Sequence, residues 1–236
     1  MKVPIDSQAA AATFWGNAGG RERYGRPADV EMAASSTLNV AVQRIAGLDT
    51  SGAVRLLRRI GAPPWFDGVT RPLRGCLIAD AGHALVLVEK NDPDDEQRLT
   101  IAHEVAHLLC HYLAPRNRAI QHFGPGILAV LDRTRALTYG ERLSAAMRGV
   151  PVEPIRHAME RGNGIRAREI ERLEAEADDL AVELLAPWFQ LKRMRGASPG
   201  EIREQFGLPP RISAGLASLI APSDNSSGTL GLFSRK

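Results

Sequence analysis

A short segment, TIAHEVAHLLCH at residues 100–111, places three histidines and a glutamate in an otherwise apolar sequence. If the segment is helical, His103 and His107 lie one turn apart on one face and can bind one Zn²⁺ through their imidazole nitrogens. Glu104 can then face the open coordination position and take a proton from water bound there. Such polar groups on a semi-buried helix are costly without a partner, so the segment predicts a zinc centre with Glu104 as catalytic base.

Two histidines do not complete a zinc site, and a third protein ligand is expected on a later helix. The stretch EAEADDLA, residues 174–181, places Glu174 and Asp178 four positions apart, on one helix face. Glu174 is the preferred metal ligand, and Asp178 is expected to accept the outer N–H of a metal-bound histidine. Glu176 is the alternative ligand, but it lies on nearly the opposite side of the helix and is expected to face solvent. His111 does not have the spacing of a third histidine ligand.

Helices are expected to carry both groups of residues. The histidines lie on a helix from about residue 97 to 112, which Pro115 is expected to end. The acidic residues lie on a long helix from about 165 to 185. Apolar residues at helical spacing between about 30 and 60 predict two further helices.

A β-hairpin is predicted immediately before the histidine helix. The runs GCLIAD (75–80) and HALVLVEK (83–90) are rich in Ile, Leu and Val and flank a turn at Ala81-Gly82. Together with the helices, the hairpin predicts an α+β fold that is mostly helical with a small antiparallel β-sheet.

The composition suggests one domain with two flexible ends. The chain has 236 residues, 44% of them hydrophobic, and a net charge of +3, which is too small to indicate nucleic-acid binding. We expect a mobile segment at 1–27, a metallopeptidase domain at 28–220 with a helical insertion at about 115–165, and a disordered tail at 221–236. Two cysteines in apolar stretches and no membrane-length apolar run favour a cytoplasmic protein without a membrane partner.

Two segments together resemble the ImmA/IrrE family of metallopeptidases. RLTIAHEVAHLLCH (98–111) resembles the family pattern R-F-T-x-A-H-E-x-x-H-x-x-x-H, and EAEADDLAVELLAP (174–187) resembles E-x-E-A-[ND]-x-F-A-x-x-L-L-M-P. Leu99, Leu180 and Ala186 replace the usual Phe, Phe and Met. The resemblance implies a zincin-like domain, bound Zn²⁺ and peptide hydrolysis, with Glu174 as the ligand. The 67 positions between His107 and Glu174 exceed the expected spacing and indicate the insertion.

The resemblance also implies a regulatory role. Similar proteases cleave a repressor-type transcription factor in a stress or mobile-element response, so the expected partner is a protein substrate, with a helix–turn–helix repressor as the candidate. Catalysis needs a further donor to stabilise the oxyanion. Tyr112, His122, Tyr139 and His157 are the candidates, and the sequence does not rank them.

Two other functions compete with hydrolysis. Residues 201–220 have the length of a helix–turn–helix, which would make the protein a DNA-binding regulator with the metal as sensor. Only Arg203 and Arg211 are available there to contact phosphates, which argues against direct nucleic-acid binding. The second alternative is a degenerate peptidase that serves as a partner-binding scaffold, but the intact Glu104 favours an active enzyme.

Overall fold

The computed structural model describes residues 5–59, 70–150, 152 and 165–222. Over these residues the fold is mostly helical with one small sheet, which confirms the predicted α+β class. The α-helices are α1 (Ile5–Asn17), α2 (Val30–Thr37), α3 (Thr50–Arg59), α4 (Asp94–His107), α5 (Ala114–Phe123), α6 (Leu128–Leu131), α7 (Tyr139–Arg148), α8 (Ile165–Leu185), α9 (Trp188–Leu191), α10 (Pro199–Phe206) and α11 (Pro210–Ile220).

Three strands form a mixed sheet in the described part of the chain. They are β1 (Val40–Ile45), β2 (Gly75–Asp80) and β3 (His83–Glu89), in the order β1–β3–β2. Strands β2 and β3 are antiparallel, whereas β1 runs parallel to β3 with Val42 opposite Val86. The predicted antiparallel sheet is therefore a mixed one, and the prediction of helix alone between residues 30 and 60 is wrong for β1. Val40 and Val42 alternate as strand residues, but Leu38 and Ile45 give the same stretch an apparent helical period.

The predicted hairpin is confirmed with its turn at Ala81 and Gly82. Both residues have positive φ angles, 47° and 80°. This left-handed backbone matches the twist of two antiparallel strands joined by a two-residue turn. Strand β2 lies at one edge of this sheet, and α4 packs against it.

Helix α8 packs along α4 in the main core, and α1 packs against α8 on its other side. Phe14 and Trp15 of α1 are buried, at 3% and 6% exposure. The expectation of a mobile segment over residues 1–27 is thus corrected for residues 5–17. The buried residues Ala11, Phe14, Trp15 and Ala18 lie at helical spacing, but only two of them are large, so the apolar period is weak in the sequence.

The helix that carries the histidines does not end at Pro115. It passes from α4 into a π-helical segment, Leu108–Leu113, and continues as α5 to Phe123. Pro115 lies in the first turn of α5, where a residue without an N–H is tolerated. The prediction that the proline stops the helix is therefore wrong, because the π segment restarts the hydrogen-bond pattern just before it.

The described part of residues 115–165, the predicted helical insertion, contains most of α5 and all of α6 and α7, with a non-helical connection at 132–138. Helices α5, α6 and α7 enclose a small apolar cluster of their own that includes Ile127, Leu131 and Ala145. Arg116 binds Asp132 at 2.8 Å within it, and Arg133 binds Asp80 at the end of β2. Residues 151 and 153–164 of the predicted insertion lie outside the described residues, as do residues 223–236 of the predicted tail.

Helices α10 and α11 belong to the main core. Both begin with a proline in the first turn, and their apolar faces are buried. Arg203 binds Asp95 at 2.9 Å and Arg211 binds Glu96 at 3.3 Å, so both arginines contact the first turn of α4. None of the described helices is long and apolar enough to cross a membrane.

Candidate metal centre

His103, His107 and Glu174 come together where α4 packs against α8. The two histidines lie one turn apart on α4, with their Nε2 atoms 3.0 Å apart. The Glu174 carboxylate on α8 reaches both rings, at 3.7 Å from His103 Nε2 and 3.5 Å from His107 Nε2. One ligand atom from each residue can therefore be chosen so that all three lie within 4.8 Å of one another.

These separations fit a tetrahedral metal ion. Zn²⁺ bound by nitrogen and oxygen at about 2.0–2.1 Å would hold its ligand atoms about 3.3 Å apart. The two Nε2 atoms are 3.0 Å apart, and the nearest Glu174 oxygen lies 3.7 Å from His103 Nε2 (Oε2) and 3.5 Å from His107 Nε2 (Oε1), all close to that distance. Two imidazoles and one carboxylate also leave a fourth position for water or substrate, as in catalytic sites.

Asp178 lies one turn after Glu174 and orients the first histidine. Its Oδ1 atom accepts a hydrogen bond from His103 Nδ1 at 2.8 Å. This contact agrees with the role predicted for Asp178 as the acceptor of an outer N–H. It directs the opposite nitrogen, Nε2, toward His107 and Glu174.

Glu176 points away from the three clustered ligand atoms. Its side chain is 45% exposed and binds His111 at 3.2 Å and Arg172 at 2.5 Å. The preference for Glu174 as ligand rests on this difference in direction. The contact between Glu176 and His111 was not predicted, although the spacing of four residues between His107 and His111 was a usable signal.

Burial and nearby carboxylates act in opposite directions on the two histidines. Burial lowers the pKa of His103, but the hydrogen bond to Asp178 and the charges of Glu104, Asp178 and Glu174 outweigh it and raise the pKa overall. Burial lowers the pKa of His107, which is 1% exposed. A neutral His107 is the form that can offer a lone pair to a metal.

Glu104 is buried beside this cluster, with 2% of its surface exposed. Burial raises the pKa of the carboxyl to about 7, although His103 opposes the rise and Glu174 adds to it. The backbone N–H of Leu77 in β2 donates a hydrogen bond to the carboxylate. The Oε2 atom is buried without a hydrogen-bond partner, a cost that a ligand or water in the site would remove.

Three of the four candidate oxyanion donors lie in the described residues, where two are paired with other groups and the third is exposed. Tyr112 is fully buried, and its hydroxyl accepts a hydrogen bond from Gly82 N–H at 2.7 Å. His122 pairs with Ser144 at 3.3 Å, and Tyr139 is 82% exposed. His157 lies outside the described residues.

A helix-borne histidine pair, a facing glutamate and a buried glutamate beside them form a candidate metal centre of the kind that metallopeptidases use. Residues 71–137 match the family model described as the IrrE N-terminal-like domain of the peptidase M78 family. The match covers β2, β3 and the His103–Glu104–His107 segment, and it confirms the resemblance to ImmA/IrrE metallopeptidases. Glu174 lies beyond the matched segment. Comparison with curated proteins and with solved structures gives no match to this chain.

Proposed function

We propose that the protein is a zinc-dependent endopeptidase with a regulatory protein substrate. The observation that carries the proposal is the meeting of His103, His107 and Glu174, whose possible ligand atoms lie within 4.8 Å of one another, with Glu104 buried beside them. These three residues would hold the zinc. Bound there, the metal would supply a Lewis acid for water activation and for polarising the scissile carbonyl.

Glu104 is the proposed general base. Its pKa of about 7 lets the carboxyl both accept and release a proton near neutral pH, which efficient proton transfer requires. The hydrogen bond from Leu77 N–H fixes the carboxylate against β2, while Oε2 stays without a protein partner. Glu104 would take a proton from the attacking water and pass it to the leaving amine.

Strand β2 is the proposed docking edge for the substrate. It pairs with β3 along one side only within the described residues, and Leu77 in its middle contacts Glu104. An extended peptide can add to such an edge through backbone hydrogen bonds. A peptide bound there would lie next to the proposed base.

The regulatory substrate, a helix–turn–helix repressor in a stress or mobile-element response, is proposed from the family resemblance alone. A repressor substrate would also place the enzyme in the cytoplasm. The test is incubation of the zinc-loaded full chain with a proteome-derived peptide library, followed by mass spectrometry of new termini. New termini should appear, disappear on metal removal and return with zinc. A zinc-loaded protein that cleaves no peptide would contradict the proposal.

The competing DNA-binding function is disfavoured by the contacts of α10 and α11. Arg203 and Arg211, the two basic residues of this segment, are engaged by Asp95 and Glu96 of α4. Phosphate contacts would require these pairs to be broken. A scaffold without catalysis would have no use for a buried Glu104 with an unpartnered oxygen, and the Glu104→Gln variant discussed below separates that alternative from hydrolysis.

A further inference from the structure

We propose that His111 and Glu176 are positioning residues that set the tautomer and ring orientation of His107. The inference rests on the proposed assignment of His107 as a zinc ligand. It concerns the side of the His107 ring that faces away from Glu174. His111 and Glu176 would act on the metal only through this ring.

The two nitrogens of His107 face different partners. Nε2 faces His103 Nε2 at 3.0 Å and Glu174 Oε1 at 3.5 Å, whereas Nδ1 lies 2.9 Å from Nδ1 of His111. A neutral imidazole that offers Nε2 to a metal must carry its proton on Nδ1. His107 therefore donates this hydrogen bond and His111 accepts it.

The acceptor role fixes the proton of His111 as well. With its Nδ1 lone pair engaged, a neutral His111 carries its proton on Nε2, which lies 3.2 Å from Glu176 Oε2. The other oxygen of Glu176 binds Arg172 Nη1 at 2.5 Å. The ring N–H groups of His107 and His111 thus each donate to an acceptor while both rings are neutral.

The two metal-site histidines would be oriented by different means. His103 reaches a carboxylate directly, through the 2.8 Å contact with Asp178. His107 is more deeply buried, with 1% of its side chain exposed against 14% for His103. His111 links this deeper ring to Glu176, whose side chain is 45% exposed.

The π-helical segment explains how His111 reaches this position. The segment begins at Leu108, directly after His107. A π turn rotates less per residue than an α turn, so His111 is turned back toward the face of α4 that packs on α8. If His111 only filled space, any side chain of the same shape would serve. A positioning role also requires the Nδ1 atom of His111 as a hydrogen-bond acceptor.

The experiment compares zinc affinity in full-length variants by competition with a chromophoric chelator. His111→Phe keeps a ring but removes both nitrogens, and His111→Asn returns an acceptor near the place of Nδ1. His122→Phe is the control, because it makes the same change at a histidine paired with Ser144 outside the site. Thermal unfolding of the metal-free proteins shows whether a variant has lost its fold.

We expect His111→Phe to bind zinc about 10- to 100-fold more weakly, the usual effect of losing an outer hydrogen-bond partner. His111→Asn should recover part of the loss, and His122→Phe should match the wild type. Should His111→Phe fail to fold, Glu176→Ala tests the same series from its exposed end, because it removes the acceptor of the His111 Nε2–H group, and it should weaken binding.

Histidine ring NMR of the zinc-loaded wild type should place the protons on Nδ1 of His107 and on Nε2 of His111. Wild-type zinc affinity in a folded His111→Phe or in Glu176→Ala, or a proton on Nδ1 of His111, would overturn the positioning role. A wild-type protein that binds no zinc would instead remove the ligand assignment and the proposed function, and the positioning role with them.

Discussion

Gly75 lies so close to Glu104 that a Cβ atom on the glycine would be 2.9 Å from Oε1 of the carboxylate. The same Cβ would be 2.4 Å from Cγ2 of Thr100, one turn earlier on α4. Real Cβ atoms do not approach other heavy atoms this closely, so a side chain here must displace its neighbours. The absence of a side chain at residue 75 therefore lets β2 lie directly against the proposed base.

Gly75→Ala should impair catalysis while leaving the zinc content unchanged. The methyl group would push Glu104 and Thr100 aside, and a displacement of about 1 Å in an active site can cost on the order of 10²-fold in rate. Cleavage rate and zinc content of the purified variant are the measurements. Gly140→Ala in α7 is the control, because a Cβ there meets no atom within 4 Å. Full activity in Gly75→Ala would show that Glu104 is not held where the proposed mechanism needs it.

Glu104→Gln should retain zinc and lose activity. Glutamine keeps the size and hydrogen-bonding capacity of the side chain but cannot take the proton. Losing a general base typically costs about 10²- to 10⁴-fold in rate, or about 3 to 5 kcal/mol of barrier. Glu183→Gln is a matched control, because Glu183 is also buried, at 4% exposure, and burial likewise raises its pKa to about 7. Undiminished cleavage by zinc-loaded Glu104→Gln would exclude Glu104 as the base.

Glu174→Ala should remove most of the zinc that the purified protein carries. Glu174 provides the one carboxylate that reaches both histidines, so its loss would leave only two ligands. Glu176→Ala should keep near-stoichiometric zinc at high protein concentration, since its expected effect is a moderate loss of affinity. Elemental analysis of both variants is the measurement. The ligand assignment is wrong if the zinc is lost from Glu176→Ala and kept in Glu174→Ala.

As the pH rises from about 5 to about 8, the metal-free wild-type protein should lose more stability than the metal-free Glu183→Gln variant. Burial raises the pKa of Glu183 from 4.5 to about 7, against the opposing hydrogen bond from Trp188 N–H. A carboxyl with a raised pKa in the folded state binds its proton more tightly there than in the unfolded chain. Its contribution is therefore fully present below the unfolded pKa and is lost as pH rises through the folded pKa. Parallel melting temperatures for the two proteins across this range would contradict the shift.

The predictable part of the site is the part that local helix geometry determines. His103 and His107 share a face because four residues make about one turn, and the same spacing aligns Glu174 with Asp178. Their meeting across two helices could be inferred only because each pair needed a partner to offset its burial. The distances between the helices were not accessible from the sequence.

The elements that differed from prediction depend on contacts between distant segments. Strand β1 gains its hydrogen bonds from β3, which lies more than 40 positions further along the chain. Helix α1 is held in the core beside α8 by Phe14 and Trp15, and the other buried residues at helical spacing, Ala11 and Ala18, are alanines, which give only a weak apolar signal in the sequence. The π segment gave no periodic signal, and Pro115 suggested an end instead of a change of helix type.

The π segment also accommodates one residue more than a regular α-helix would hold between α4 and α5. Hydrogen bonds from i to i+5 mean that Leu108–Leu113 holds one residue more than an α-helical turn would. If the same residues adopted continuous α-helical hydrogen bonding, everything beyond the segment would turn by about 100°. Arg116 would then move away from Asp132, and α5 would no longer present its apolar side to α6. The π segment thus takes up the additional residue and keeps α5 aligned with the metal-binding helix, whereas a chain that held this residue in α-helical geometry would keep the HEVAH sequence and lose the alignment that follows it.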